Sequence, residues 1–288
     1  MKKSIYIFAG VALSCMLMSC EDINEGGVDR HPQLPVKLKA SITPFEQEKP
    51  ETWKGEEEFG VFMFPSGEEK GFATSKCVRF KTDAEGELSI TEAGTELMYP
   101  KDAAKVDFIC FTPFEESALT SRALSLDVST REKALACDYL YSDNSRNKYP
   151  ALAPVKIQMK HVLSAVRFEI TAEDDILPAE LKNLNPHMEG VNATGSFNLG
   201  DATLTPSGTA TAIPMLADEG MTSADCLLLP ATSNVTVRCN VAGQEFRKKL
   251  GDLTFERGKL YIFDLHVSHP GFEISLREIE DWVVETYD

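Results

Sequence analysis

Short runs in which apolar and polar residues alternate recur along most of the chain. Residues 36–42 read VKLKASI and residues 155–160 read VKIQMK, both with apolar residues at every second position. A period of two residues is typical of a β-strand that buries one face. Residues 59–64 are instead almost continuously apolar and end at Pro65, as in a strand that is covered on both faces.

Similar runs follow at intervals of roughly 8–12 residues, with turn residues between them. Strands are predicted at 36–42, 59–64, 78–81, 87–90, 106–111, 138–141, 155–160, 165–170, 197–199, 202–204, 227–229, 235–239, 245–250 and 260–267. Residues 124–128 also alternate, and residues 131–136 are predicted to form one helical turn. Almost no segment keeps an apolar period of 3.6 residues, so we predict an all-β protein built from sandwiches.

Polar segments that contain proline divide the chain. Residues 144–150 are polar and end at a proline, so we place a boundary there and predict two sandwich domains, 36–150 and 151–288. Residues 20–35 hold two glycines and two prolines, and we interpret them as an acidic flexible tether.

The N-terminus has the pattern of an export signal. Lys2 and Lys3 precede an apolar run over residues 5–18. This run is shorter than the roughly 20 apolar residues that span a bilayer, and it fits a signal peptide that is removed. Residues 17–19 (Leu-Met-Ser) before Cys20 resemble the lipobox of a bacterial lipoprotein. The resemblance implies that the Cys20 thiol is acylated, with palmitate among the expected chains, and holds the protein in the outer membrane.

The lipobox places the end of the signal peptide at residue 19, and an acidic cluster follows the acylated cysteine. Glu21 and Asp22 resemble the signal that sends lipoproteins of the Bacteroidota to the outer face of the outer membrane. The resemblance implies display at the cell surface. For the acidic cluster, the alternative is a solvated acidic tether. For the lipobox, the alternative is an ordinary secretory signal that happens to hold a cysteine.

Charge excludes one class of partner. The formal net charge is −16, and removal of residues 1–19, which carry two lysines and no acid, makes it −18. A surface this acidic repels the phosphates of nucleic acids, so we expect no nucleic-acid partner. The chain is 43% hydrophobic and therefore has enough apolar residues for a core.

The cysteines do not form a recognisable framework. Beyond Cys15 and Cys20, the remaining cysteines are Cys77, Cys110, Cys137, Cys226 and Cys239. No CxxC pair suggests zinc, and the odd, wide spacing favours small buried residues over disulfides. Cys226 and Cys239 flank a possible hairpin, so a disulfide between them stays open.

No catalytic motif is present, and we expect neither an enzyme, nor a metal site, nor a cofactor. The five histidines are dispersed along the chain. His161 lies between two predicted strands and is interpreted as a packed or capping histidine. His266 and His269 lie near a strand end without obvious carboxylate partners in the sequence.

Several segments, in order and spacing, resemble the fimbrillin-like family of Bacteroidales surface proteins, which includes type V pilus subunits and anchors. They are the lipobox and residues 38–42, 58–63, 99–100, 106–113, 159–168, 227–230, 255–261 and 279–282. The resemblance covers essentially the whole mature chain. It implies two tandem transthyretin-like β-sandwich domains after a lipoprotein signal peptide.

The resemblance also implies assembly by strand complementation between fimbrial subunits. In stalk subunits a protease cuts at an arginine after the first strand, and the groove so opened accepts the C-terminal strand of another subunit. Here residues 271–288 are the candidate donor strand. Its apolar candidates are Phe272, Ile274, Leu276, Trp282 and Val284. The alternative is that this tail completes the sandwich of its own domain.

The segment after the first strand departs from the stalk pattern. Residues 43–58 contain no arginine and only two lysines, Lys49 and Lys54. We therefore expect a pilus anchor or accessory subunit that keeps its first strand. A stalk or tip subunit cut at one of these lysines is one alternative. A glycan-binding surface lipoprotein is another, for which Trp53 is the conspicuous aromatic residue.

Overall fold

The computed structural model describes residues 33–42, 53–67 and 69–283, and within them the chain is mostly β-strand. The strands are β1 (Leu38–Ser41), β2 (Glu58–Pro65), β3 (Cys77–Thr82), β4 (Glu87–Ile90), β5 (Val106–Thr112), β6 (Ala123–Asp127), β7 (Leu140–Ser142), β8 (Val155–Gln158), β9 (Lys160–His161), β10 (Ser164–Ala172), β11 (His187–Asn198), β12 (Leu204–Pro214), β13 (Leu216–Ala217), β14 (Ser223–Leu228), β15 (Thr232–Val241), β16 (Gln244–Thr254), β17 (Lys259–Ser268) and β18 (Gly271–Asp281). The helices are α1 (Glu69–Thr74), α2 (Ala118–Ser121), α3 (Arg131–Ala136) and α4 (Pro178–Leu181). None of the helices in these described ranges is long and apolar enough to cross a membrane.

The strands form three sheets. The first has eight strands in the order β8-β1-β4-β3-β2-β5-β7-β9. The second has five strands in the order β13-β14-β10-β17-β18. The third follows the order β12-β11-β15-β16, and β6 also pairs with β11. The predicted all-β fold is confirmed.

The continuous apolar run of β2 follows from its position between two cores. Phe59 and Val61 belong to a cluster beneath the first sheet, whereas Phe62 and Phe64 belong to the larger cluster that fills the rest of the molecule. All four side chains are buried. Because both faces of β2 are covered, polar residues have no favourable place on it.

Several predicted elements differ in extent from those observed, and two of these differences are informative. The predicted strand 155–160 is interrupted at Met159, which is fully buried between β8 and β9. β11 begins at His187, ten residues before the predicted strand at 197. Its pairing register with β12 shifts at Glu189/Val191 and at Asn192/Thr194. Such bulges interrupt the period of two residues, so alternation alone does not reveal the strand.

Strand pairing crosses residue 150 in both directions. β8 follows this residue in the chain but pairs with β1 in the first sheet. β6 precedes it but pairs with β11 in the third sheet. Strands from the two predicted domains thus share sheets, and the division into domains 36–150 and 151–288 stays a prediction.

The disulfide considered between Cys226 and Cys239 is not formed. Both cysteines are free and buried, on β14 of the second sheet and β15 of the third. The chain changes sheet between them, so the segment is not the expected hairpin. Cys77, Cys110 and Cys137 are free as well, and only Cys77 is partly exposed. Burial raises the pKa of Cys239 to about 12, which keeps its thiol neutral.

Candidate functional site

The first strand lies in the interior of its sheet. β1 pairs in parallel with β8 from Leu38–Val155 to Ser41–Gln158, and antiparallel with β4 on its other edge. The amide of Val155 donates to the carbonyl of Lys37 at 2.8 Å, and the amide of Met159 donates to the carbonyl of Ser41 at 2.7 Å. Removal of β1 would therefore leave unpaired edges on both neighbours, which is the geometry of a strand-accepting groove.

The chain before β1 is also fixed. Gln33 donates its side-chain amide to the carbonyl of Tyr99 at 3.0 Å, and Pro35 forms a bridge with Met98. The Val36 amide donates to the Leu97 carbonyl at 2.8 Å. The end of the predicted flexible tether 20–35 is thus bound from Gln33 onward, because the segment near Met98 accepts it as a strand-like partner. The rest of that tether, with Cys20, Glu21 and Asp22, lies outside the described residues.

The side chains of β1 are part of the core. Leu38 is 1% exposed and Ala40 is 0% exposed, and both belong to the cluster beneath the first sheet. Ala40 lies against the β3–β4 turn, where its amide donates to the carbonyl of Gly86 at 2.8 Å. A Cβ at Gly86 would come within 2.2 Å of the Ala40 carbonyl oxygen, and Gly86 has φ +81°. Glycine is required here for both reasons.

Trp53, which follows β1 in the chain, contacts this strand. Its indole Nε1 donates to the Ala40 carbonyl at 3.1 Å. Its ring packs edge-to-face on Phe59 with centroids 5.3 Å apart, and only 7% of the residue is exposed. The glycan-binding alternative required an exposed Trp53, so that part of the hypothesis is wrong. No signal of these contacts with Ala40 and Phe59 is present in the sequence, because the residues next to Trp53 are polar.

The two candidate processing lysines fall in different places. Lys49 lies outside the described residues. Lys54 is exposed, but its backbone amide donates to the Glu57 carboxylate at 2.7 Å, and Thr82 Oγ1 donates to the same carboxylate at 2.7 Å. Burial alone would raise the pKa of Glu57, but these hydrogen bonds lower it. The backbone at Lys54 is therefore held, and a protease has less access to it than to a free loop.

The last strand lies at an edge of the second sheet. Among the described strands β18 pairs only with β17, from Gly271–Ser268 to Asp281–Lys259. Phe272 and Ile274 are buried in the core, whereas Leu276 is 42% exposed and Ile279 is 50% exposed. The alternation of buried and exposed residues ends at Leu276, and the pairing register shifts just after it, opposite Ile262/Phe263.

Trp282 follows β18 and docks on its own chain. It is 6% exposed, and its ring stacks on His161 with centroids 3.5 Å apart. Its amide donates to the carbonyl of Gly258 at 2.9 Å. Of the five donor-strand candidates, three are thus buried within this chain, Leu276 is exposed, and Val284 lies outside the described residues.

The histidines form no catalytic or metal-binding cluster in the described ranges. His161 is buried, with its Nδ1 at 2.8 Å from Asp138 Oδ1, so the interpretation as a packed histidine is confirmed. His266 and His269 do have carboxylates nearby, unlike the expectation: Glu173 at 4.0 Å and Glu180 at 3.7 Å. The described chain nevertheless holds no group of three or more residues arranged to bind a metal ion.

Solved structures share this fold. A candidate cell adhesion protein from Bacteroides uniformis has a TM-score of 0.68 and 20% identity, over 86% of this chain and 99% of that one. A second one, from Bacteroides ovatus, has a TM-score of 0.67 and 17% identity, over 88% of this chain and 100% of that one. The tip fimbrial protein Mfa3 from Porphyromonas gingivalis, truncated at its C-terminus, has a TM-score of 0.57 and 11% identity, over 87% of this chain and 100% of that one.

The sequence itself identifies the family. A comparison with curated proteins found no match. The sequence model of the fimbrillin-like family, however, matches residues 47–282, which include β2 to β18 and Trp282. The chain therefore belongs to the fimbrillin-like family.

Proposed function

We propose that this protein is a lipid-anchored anchor or accessory subunit of cell-surface fimbriae, which keeps its own first strand and donates its C-terminal strand to another subunit. Membership of the fimbrillin-like family supports the structural role in fimbriae at the cell surface. The observation that carries the finer proposal is the way β1 is held, inside its sheet and beneath Trp53.

Retention of the first strand follows from its contacts. Burial of a leucine side chain such as Leu38 stabilises the fold by about 1.5–3 kcal/mol, and β1 also pairs on both edges. The loop after it has no arginine, and the only described lysine in that loop, Lys54, has a hydrogen-bonded backbone. A subunit that keeps β1 has no open groove at this position and cannot accept a strand there.

Donation by the C-terminal strand is supported by its edge position. β18 has one free edge, so its backbone can pair with another chain. Leu276 and Ile279 are large apolar residues that stay about half exposed, each next to at least one charged residue. Exposed apolar side chains of this kind are the ones a partner subunit would cover when its sheet pairs with the free edge of β18.

The membrane end of the proposal rests on the sequence. Acylation of Cys20 would attach the chain to the outer membrane, because each buried CH₂ contributes roughly 0.8 kcal/mol and several acyl chains anchor firmly. Glu21 and Asp22 would direct the protein to the outer face. Residues up to 32 would then connect the membrane to the fixed segment that begins at Gln33.

Co-purification from the native host tests strand donation. We expect wild-type protein, solubilised from the outer membrane, to carry other fimbrial subunits with it. The double variant Leu276→Ser, Ile279→Ser should reach the membrane in equal amount but lose these subunits. Leu152→Ser is the matched control, since Leu152 is 73% exposed and lies far from β18 in sequence. Unchanged co-purification of the double variant would contradict donation by this strand.

A further inference from the structure

β12 is exposed on both faces and along one edge. Its residues 205–211 are all solvent-exposed, whereas a strand at the surface of a sandwich normally buries every second side chain. β12 pairs with β11 on one side, and no strand in the described part of the chain pairs with its other side. The outer edge of β12 therefore presents backbone amides and carbonyls to solvent over a long stretch.

The composition of β12 sets it apart from the other long edge strands. β12 reads LTPSGTATAIP and contains no charged residue. β16, at the opposite edge of the same sheet, reads QEFRKKLGDLT, and β18 reads GFEISLREIED. Natural proteins place charges on edge strands to prevent pairing with other chains. β16 and β18 carry such charges, whereas β12 carries none and is interrupted only by a proline near each end and a register shift between Ser207 and Ala210.

The net charge of the protein indicates which partner fits. Because the formal net charge of the chain is −16, two copies repel each other wherever their charged faces meet. β12 is an uncharged strip on this acidic protein, so two copies can approach there without bringing carboxylates together. We propose that β12 pairs antiparallel with β12 of a second copy, joining the two sheets across a two-fold axis.

The sequence of β12 fixes the expected register. Pro206 and Pro214 each lack an amide hydrogen and limit the pairing window to the residues between them. A bulge at residues 208–209, with Gly208 at φ +77°, lies near one end of this window. The centre of this window is Ala210, which in a two-fold arrangement lies opposite its own copy. Thr209 then lies opposite Thr211 of the second copy, and cross-strand threonine pairs stabilise antiparallel ladders.

Cysteine cross-linking on intact host cells tests this register. Directly opposed residues of an antiparallel pair have Cα atoms about 4.5–5.5 Å apart, within the range a disulfide spans. Ala210→Cys should therefore give a disulfide-linked species of twice the chain mass on mild oxidation. Gln244→Cys, at an exposed position on the charged edge strand β16, is the matched control and should stay monomeric.

Charges placed on β12 distinguish a disulfide formed by specific strand pairing from one formed by random collision of two copies. Adding Thr209→Glu and Thr211→Glu to Ala210→Cys puts carboxylates opposite each other, and the dimer yield should fall by about tenfold or more. The same two charges on β16, as Gln244→Glu and Thr254→Glu, should leave the yield from Ala210→Cys unchanged.

Three results would overturn the proposal. They are an absence of dimer from Ala210→Cys at wild-type surface levels, equal dimer from Gln244→Cys, and a cross-link of Ala210→Cys to a different protein. The last result would assign the edge to another occupant. This pairing uses neither β1 nor β18, so its failure leaves the proposed function untouched.

Discussion

The first and last strands of this protein are held in opposite ways. β1 has four residues, a neighbour on each edge, and two apolar side chains that are completely buried. β18 has eleven residues, one neighbour, and two large apolar side chains that are about half exposed. The length of a strand therefore does not indicate how firmly it is held. Its place within the sheet decides that, because an interior strand loses two ladders when it leaves and an edge strand loses one.

The largest effect is expected from removing the anchor of β1. Leu38→Ala should lower the free energy of unfolding by about 2–5 kcal/mol, because it leaves a cavity beneath the first sheet. Denaturant unfolding measures this change. Lys39→Ala on the same strand is the control, and it should cost less than about 1 kcal/mol because the Lys39 side chain is partly exposed. A small effect at Leu38 would mean that β1 is not part of the cooperative core.

The close approach of β1 to the β3–β4 turn gives the next effect. Gly86→Ala and Gly94→Ala both introduce a Cβ at positive φ, +81° and +86°, which costs about 1–2 kcal/mol. Only Gly86 has a neighbour in the way, the Ala40 carbonyl, whereas Gly94 has nothing within 4 Å. Gly86→Ala should therefore be less stable than Gly94→Ala by a further 1–3 kcal/mol or so. Equal effects would show that the turn does not press on β1.

The hydrogen bond from Trp53 is a smaller contribution. Trp53→Phe keeps an aromatic ring against Phe59 but removes the donor to the Ala40 carbonyl. The free energy of unfolding should fall by about 1–2 kcal/mol, since a buried carbonyl loses its partner. Cleavage of the loop after β1 by a lysine-specific protease should also become faster. Unchanged stability and unchanged cleavage would contradict the view that Trp53 holds the first strand.

The smallest effect is expected on β18. Leu276→Ser should change the free energy of unfolding by less than about 0.5 kcal/mol, because this side chain is 42% exposed. Ile274→Ala, two residues earlier and buried, should cost about 2–5 kcal/mol. Thermal unfolding of the two variants separates them. If Leu276→Ser were as destabilising as Ile274→Ala, the exposed part of β18 would not be available to a partner.

Much of the fold could be predicted because the strands obey local rules. Alternation located β1 and β8, and the continuous apolar run located β2 with the right burial on both faces. The pairing of β1 with β8 could not be predicted in this way. More than a hundred residues separate these strands, and their pairing depends on long-range packing rather than on local pattern.

The candidate site was predicted less completely, for two physical reasons. Trp53 resembles a surface aromatic residue in the sequence, because the residues around it are polar and give no sign of burial. The carbonyl that accepts its indole hydrogen bond belongs to Ala40 on β1, which no local pattern around Trp53 reveals. The tail looks like a free donor because Phe272, Ile274 and Leu276 alternate, yet the first two complete this chain's own core. Only Leu276 and Ile279 of the described tail remain exposed as large apolar residues.

The central claim is that the mature protein keeps its first strand. The most direct test is the intact mass of the protein recovered from the outer membrane of its own host. We predict a chain that begins at acylated Cys20 and therefore contains β1 and its contact with Trp53. A chain that begins after Lys49 or Lys54 would contradict the claim, because the groove between β4 and β8 would then be open to another subunit's strand.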